Sequence, residues 1–223
     1  MSPVGLGTIR SAGALALASA LACVAPEPMQ PEAESAHTEL KKPPLEGGKI
    51  IGIVFRLTGT GEEVPPSGGV VYVEDAPKEP GEAATATVTV DRKSFVPFIT
   101  VVAQGGTVTF GNDDTLPHHV FSPDLAHWDT GILNKGETST RRFDSPGIVS
   151  LLCNIHPEMI GYVLVIPSTH YGRIGTDGRY VIPNLPAGTY RVTAWSPRLP
   201  PATQSVTVGA TGAVTANFTL QPP

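Results

Sequence analysis

After residue 48 every apolar run in the chain is short, and turn residues rich in Gly and Pro separate one run from the next. The runs are IIGIVF (50–55), GVVYVE (69–74), ATVTV (86–90), FITVVA (98–103), GTVTF (106–110), TSTRRF (138–143), IVSLLC (148–153), YVLVI (162–166), RYVI (179–182), TYRVTAW (189–195), QSVTV (204–208) and AVTANFTL (213–220). β-Branched residues at alternate positions present one face to a core and the other to solvent when the run is extended. Gly (24 residues) and Pro (23) make up about a fifth of the chain, against roughly an eighth in an average protein. The expected fold class is therefore all-β, built as sandwiches of short strands. A brief helical turn near 155–160 is the one exception expected.

Charge narrows the partners. Fifteen Lys and Arg against twenty Asp and Glu leave a net charge of −5. No basic cluster interrupts the sequence, so nucleic acid is excluded as the natural ligand class.

The first residues read as an export signal. Arg10 is the only charge among the first 26 residues, and the stretch SAGALALASALAC that follows it is too short for a stable membrane anchor. Residues 1–22 are expected to be removed, and the protein to be exported to the periplasm or outer cell envelope. Ala20-Leu21-Ala22 fits a small-x-small cleavage site, which would leave Cys23 first; the segment resembles a lipoprotein signal. Either Cys23 is lipidated and tethers the protein to a membrane, or it is a bystander to ordinary cleavage. Residues 23–47, rich in Pro and Glu, cannot bury enough surface to offset the entropy of ordering and are expected to form a flexible linker. With Cys23 and Cys153 as the only cysteines, a disulfide framework is not expected.

Cys153-Asn-Ile-His156-Pro-Glu-Met159 sets a thiolate, an imidazole and a thioether within seven residues, at the end of an apolar strand. Soft sulfur with imidazole suits copper, and two His, one Cys and a weak axial Met form a type 1 copper site. The second His comes from Leu116-Pro117-His118-His119-Val120-Phe121. Alternation sends His118 and His119 to opposite faces, so only one of them can be a ligand. Met1 and Met29 lie outside the strand-rich part, which leaves Met159 as its one methionine. Zinc is the other metal to weigh, but a structural zinc site takes a fourth thiolate, imidazole or carboxylate in preference to a thioether. Asp113, Asp114 and Glu158 are read as turn and surface residues.

These residues resemble the cupredoxin family. Pro117-His118-x-Val120-Phe121 is a close variant of the segment around the first His of plastocyanins and amicyanins. Cys153-x2-His156-x2-Met159, with Pro157 after the His, is similar to the short ligand loop of amicyanin-like proteins. FGNDD, HHVFS, FDSPG and CNIHPEM also resemble plastocyanin-like domains of the methylamine-utilisation type. The resemblance covers residues 84–167. It implies a Greek-key sandwich with one type 1 copper ion held by His118, Cys153, His156 and Met159. It also favours His118 over His119. Two departures stand out: His119 replaces a common Asn, and Leu152 replaces a common aromatic. Asn112 and Asn154 are read either as residues that fix the ligand loops or as ordinary turn residues. Phe95, Phe110, Phe121 and Phe143 are read as core, with Trp128 in the core and His127 at the surface. Ile155, Pro157, Ile160 and Pro117 are expected to surround His156 with an apolar surface.

A second resemblance lies in GTDGRYVIPNLPAGTYRVTAW (175–195), which is similar to the carboxypeptidase-regulatory-like, or transthyretin-like, β-sandwich. Its opening pattern occurs far upstream, as Gly48-x-Ile50-x-Gly52-x-Val54 and GVVYVE. The expectation is one discontinuous sandwich, residues 48–78 with 168–221, and a cupredoxin domain, 84–167, inserted in it. The competing arrangement is a cupredoxin with a β-rich tail and an independent N-terminal hairpin.

The expected function is a blue copper protein carrying single electrons between redox partner proteins of the envelope, and not an enzyme. No nucleophile triad, carboxylate pair or second metal cluster is apparent. Two rivals are a copper-handling protein, for which the usual Met- and His-rich tracts are missing, and a surface adhesion module with a vestigial copper fold.

Overall fold

The computed structural model describes residues 47–77, 84–124 and 127–223. The export signal (1–22), Cys23, all but the last residue of the linker (23–47) and Lys78 lie outside the described residues. Eighteen strands and no helix make up the described chain, so the all-β class holds.

In chain order the strands fall into three groups. The first is β1 (Gly48–Leu57), β2 (Glu63–Val64) and β3 (Val70–Val73). The second is β4 (Thr85–Asp91), β5 (Ser94–Val96), β6 (Ile99–Ala103), β7 (Thr107–Asn112), β8 (Val120–Ser122), β9 (Trp128–Asp129), β10 (Thr138–Arg142), β11 (Gly147–Cys153) and β12 (Ile160–Ile166). The third is β13 (Tyr171–Arg173), β14 (Arg179–Leu185), β15 (Gly188–Trp195), β16 (Ala202–Val208), β17 (Ala213–Thr215) and β18 (Phe218–Leu220).

They form four sheets. Strands of the second group pair only with one another, in the orders β10-β7-β4-β5 and β6-β12-β11-β8-β9. Strands of the first and third groups pair together: β1 joins β14, β17, β18 and β2, while β13-β3-β15-β16 make the fourth sheet. The chain leaves this second pair of sheets after Val73 and returns before Tyr171. The two crossings are tied, since Val73 N–H donates to His170 O (3.0 Å) and the Ser168 hydroxyl donates to Val73 O (2.6 Å).

Three apolar clusters order the sheets as layers. One, containing Val88, Phe110, Trp128, Val149 and Val163, fills the space between the two sheets of the middle group. A second, with Ile50, Val54, Tyr180, Ile182 and Val192, fills the space between the other two. The third joins the halves: Ile99, Tyr162, Leu164 and Ile166 meet Val70 and Trp195. β12 is thus covered on both faces, which accounts for its unbroken apolar run.

Individual residues explain local choices. Gly52 permits β1 to lie against the Ala216 carbonyl, where any side chain would collide. Tyr180 OH donates to that same carbonyl (2.6 Å). The continuous run expected over 213–220 is broken at Ala216 and Asn217, because the Asn217 side chain accepts the Ile53 N–H (3.0 Å) and interrupts the ladder. Phe95, Phe110, Phe143 and Trp128 are buried, whereas Phe121 is only half-buried. Its alternation partners Val120 and Ser122 take the inward face of β8. The segment 155–160 contains a turn closed by Met159 N–H to His156 O (3.1 Å) and not a helix.

Candidate metal centre

Two arms bring the donors together at one end of the middle sandwich. Cys153 ends β11, and its pairing with Val120 sets it beside the arm that carries His118. His156 and Met159 follow in the loop to β12. His118 is held by a two-way bridge: its N–H donates to Leu133 O (3.0 Å), and Leu133 N–H donates to His118 O (2.7 Å). Buried Asn112 supports that arm. Its amide donates to Leu116 O (2.8 Å) and Leu133 O (2.9 Å), and its oxygen accepts Asp114 N–H (2.9 Å). Of the two readings of Asn112, fixing the ligand loop is the one this geometry supports.

His118 (0% exposed) and Cys153 (4%) are buried, and His156 is half-exposed. Cys153 Sγ lies 3.7 Å from His118 Nδ1 and 3.9 Å from His156 Nδ1, and the two Nδ1 atoms are 3.2 Å apart. Among the described residues this is the group of His, Cys, Asp and Glu donors close enough to share a metal ion. The point equidistant from the three atoms is about 2.1 Å from each, within reach of metal–imidazole bonds of ~2.0–2.1 Å and slightly short of metal–thiolate bonds of ~2.3 Å. The donor set therefore fits a transition-metal ion. Met159 (2% exposed) belongs to the same apolar cluster as Cys153.

Asp114, read from sequence as a turn residue, belongs to this centre. Its Oδ2 lies 3.2 Å from His118 Nε2 and accepts the Lys93 backbone N–H at 2.9 Å; its Oδ1 accepts Thr115 N–H at 2.7 Å. The Lys93 N–H, followed by those of Thr115 and His118, holds the Asp114 carboxyl down at about 2. An ionised carboxylate only accepts, so His118 Nε2 is the donor of this bond, and Nδ1 is the ring nitrogen that faces Cys153 and His156. The sequence signal that could have found Asp114 is its spacing of four residues from His118.

His119 points away from the three donors and braces the arms against each other. Its carbonyl accepts Asn154 N–H (3.0 Å), its Nδ1 lies 3.4 Å from the Asn154 amide, and its Nε2 lies 3.2 Å from Asp129 Oδ1. The Gly131 N–H, and then His119, lower the Asp129 carboxyl. Asn154 thus joins the bracing side of its two readings. Ile160 does not join the expected apolar surface: it packs toward the cluster between the sandwiches. Leu116, Ile132 and Ile155, exposed by 41%, 63% and 41%, flank the ligand arms along with Pro117 and Pro157.

Residues 162–221 match the carboxypeptidase regulatory-like domain. The match starts inside β12, which pairs with β6 and β11, and omits β1 and β3, which pair with the matched strands. No curated protein matches the chain. Among solved structures, the chain is similar to a novel purple cupredoxin from Nitrosopumilus maritimus, with 26% identity over 36% of this chain and 98% of that one, at a TM-score of 0.33. It is also similar to a copper-containing nitrite reductase from Thermus scotoductus SA-01, with 27% identity over 42% of this chain and 25% of that one, at 0.35. A reduced amicyanin mutant shares 25% identity over 35% of this chain and 79% of its own length, at 0.34. At such TM-scores the likeness decides nothing about chemistry; the donor geometry does.

Proposed function

We propose that this chain is an exported electron carrier in which His118, Cys153, His156 and the weaker thioether donor Met159 would hold one copper ion. The single observation that carries the reading is the triangle of two imidazole nitrogens and a cysteine sulfur, with sides of 3.2, 3.7 and 3.9 Å. Two His, one Cys and a nearby thioether are the donors of a blue copper site. Copper, when bound, supplies a one-electron couple between Cu(I) and Cu(II).

The chain's own residues do the rest. Cys153 and His118 are fixed by strand pairing and by the Leu133 bridge, so the donors have little freedom to rearrange when charge changes. Burial of His118, Cys153 and Met159 keeps water from the inner side. Four protein donors leave no open position for a substrate, which favours a carrier over an enzyme. Half-exposed His156 is the donor nearest solvent, and Leu116, Ile132 and Ile155 offer an apolar surface beside it for brief contact with a redox partner. We further propose that residues 48–78 and 168–221 form one sandwich into which the copper domain, 84–167, is inserted, with Cys23 as a membrane tether.

Adding Cu(II) to the purified protein tests the reading. An intense visible charge-transfer band with narrow copper hyperfine splitting is expected, and Cys153→Ser should abolish both. A colourless protein that binds copper through nitrogen and oxygen alone would overturn the proposal, and a strong preference for zinc would redirect it.

A further inference from the structure

The hairpin between β4 and β5 has no part in the sequence reading, yet its tip reaches the metal centre. Asp91 pairs with Ser94, leaving Arg92 and Lys93 as a two-residue loop. Both have positive φ, 46° and 55°. Two-residue hairpins with both central residues left-handed usually carry Asn-Gly or Asp-Gly, because a Cβ disfavours that backbone. Here two long cationic residues occupy it. Non-glycine residues persist in such conformations where surrounding contacts over-determine them, and these places cluster at functional sites.

The over-determining contact is visible. Lys93 N–H donates to Asp114 Oδ2 (2.9 Å), the same oxygen that faces His118 Nε2 at 3.2 Å. One strand on, Asp113 N–H donates to Val90 O (2.9 Å), which fixes the Asp114 segment to the hairpin that bears Lys93. Lys93 also touches the other ligand arm, its Nζ lying 4.0 Å from Glu158 Oε1, between His156 and Met159. Both of those side chains are about half-exposed, so the ion pair is screened and contributes little beside the amide–carboxylate bond.

We propose that the Asp91–Ser94 hairpin tip is a positioning element of the metal centre. The Lys93 backbone N–H fixes Asp114, and Asp114 holds His118 in the tautomer and orientation that turn Nδ1 toward Cys153 and His156. The left-handed pair Arg92–Lys93 is kept because it aims that N–H. The Lys93 main-chain N–H and the Asp114 carboxylate are the positioning groups and touch no metal themselves; the Lys93 side chain has no part in the device. The inference rests on the metal-site reading above.

The test uses the full chain with three changes: Asp114→Ala, a single glycine inserted between Arg92 and Lys93, and Lys93→Gly. Copper affinity is read by chelator competition and site geometry by copper hyperfine splitting. Asp114→Ala and the insertion should each weaken copper binding by about 10–100-fold, the usual effect of removing a partner of a ligating His. Together they should do no more than the larger single change, since both act through one bond. Lys93→Gly keeps the N–H and removes the ammonium, and should leave affinity within about twofold. Amide hydrogen exchange of the metal-free protein supplies a second readout: the Lys93 amide should exchange faster in Asp114→Ala. A folded insertion variant with unchanged affinity and splitting would overturn the proposal, as would single losses that multiply. If the insertion prevents folding, unchanged Lys93 exchange in Asp114→Ala overturns it alone. A chain that binds no copper through Cys153 defeats the copper reading, while the metal-free exchange still decides the hairpin's role.

Discussion

The two sandwiches use the same kind of strand but treat buried polar atoms differently. In the one made by β1–β3 and β13–β18, the hydroxyls of two buried tyrosines end on main-chain carbonyls: Tyr180 on Ala216 (2.6 Å) and Tyr190 on Pro186 (2.9 Å). Buried Thr193 likewise finds partners, in the Glu74 carboxylate (2.7 Å) and the Thr203 hydroxyl (2.6 Å), so each of these polar groups has a structural use. In the other, the apolar core runs out at one end into His118, Cys153 and His156, whose donor atoms face one another. Electron-pair donors gathered at one point satisfy few of each other's needs and suit a shared cation. The difference teaches that burial alone does not mark a site; what marks it is polar atoms converging where the fold has no structural use for them.

The sharpest way to break the comparison is Cys153→Ser. If the cluster exists for a metal, the variant loses the thiolate band completely while the metal-free chain keeps its fold. Visible absorption and circular dichroism report the two separately. A large loss of metal-free stability would instead mean that Cys153 matters as core, which would make the two sandwiches alike.

The next effect concerns how far they are separate at all. Trp195 lies against Tyr162 (ring centroids 5.5 Å apart) in the cluster between the halves. Trp195→Ala is expected to cost about 3–5 kcal/mol, as for other buried aromatics. Urea denaturation followed by the copper band and by tyrosine fluorescence should shift together if the halves unfold as one. Separate transitions would show each sandwich holding by itself. The excised segment 84–167 would expose Tyr162, Leu164 and Ile166, and is expected to self-associate.

How much of this was legible in sequence depends on distance along the chain. Cys153 ends β11 and His156 and Met159 follow within six residues, so their spacing suggested a shared metal before any fold was known. His118 needed only strand alternation and its Pro-His-x-Val setting to be preferred to His119. Asp114 could not be read the same way, because an acid in a turn is ordinary and its importance comes from Lys93, 21 residues away across a hairpin. The run YVLVI signalled a strand, but not which sheets cover its two faces; that follows from β3 and β15, from opposite ends of the chain. The short strands β2, β5, β8, β9 and β13 were missed because two or three residues carry no periodicity.

Alkali should reach the second sandwich before the first. Burial pushes the Tyr180 hydroxyl well above its ordinary value of 10.0, and Tyr72 and Tyr190 are raised in the same sense; all three belong to β3, β14 and β15. These tyrosines stay protonated when folded and lose protons near pH 10 when unfolded. Their share of stability is therefore complete below about pH 10 and declines as pH rises toward the folded values. Tyr180→Phe should cost about 0.5–1.5 kcal/mol at neutral pH through the lost bond to Ala216. It should also reduce the alkaline slope by one proton's worth, measured as denaturation midpoint against pH.

The smallest expected effect on stability separates fold from function most cleanly. Ile132 and Ile155 are exposed beside the ligand arms, so replacing either by Lys should change stability by no more than about 0.5 kcal/mol. Neither side chain is a donor, so the copper spectrum should stay as it is. Electron exchange with a partner, or self-exchange between oxidised and reduced protein followed by NMR line broadening, should nonetheless slow, because a charge now has to be desolvated where an apolar contact formed. Val181 is exposed to a similar degree on β14 of the other sandwich (51%) and serves as the control. If Val181→Lys slowed exchange as much as Ile155→Lys, electron passage would not be confined to the His156 end. The polar convergence there would then locate the metal without locating the partner.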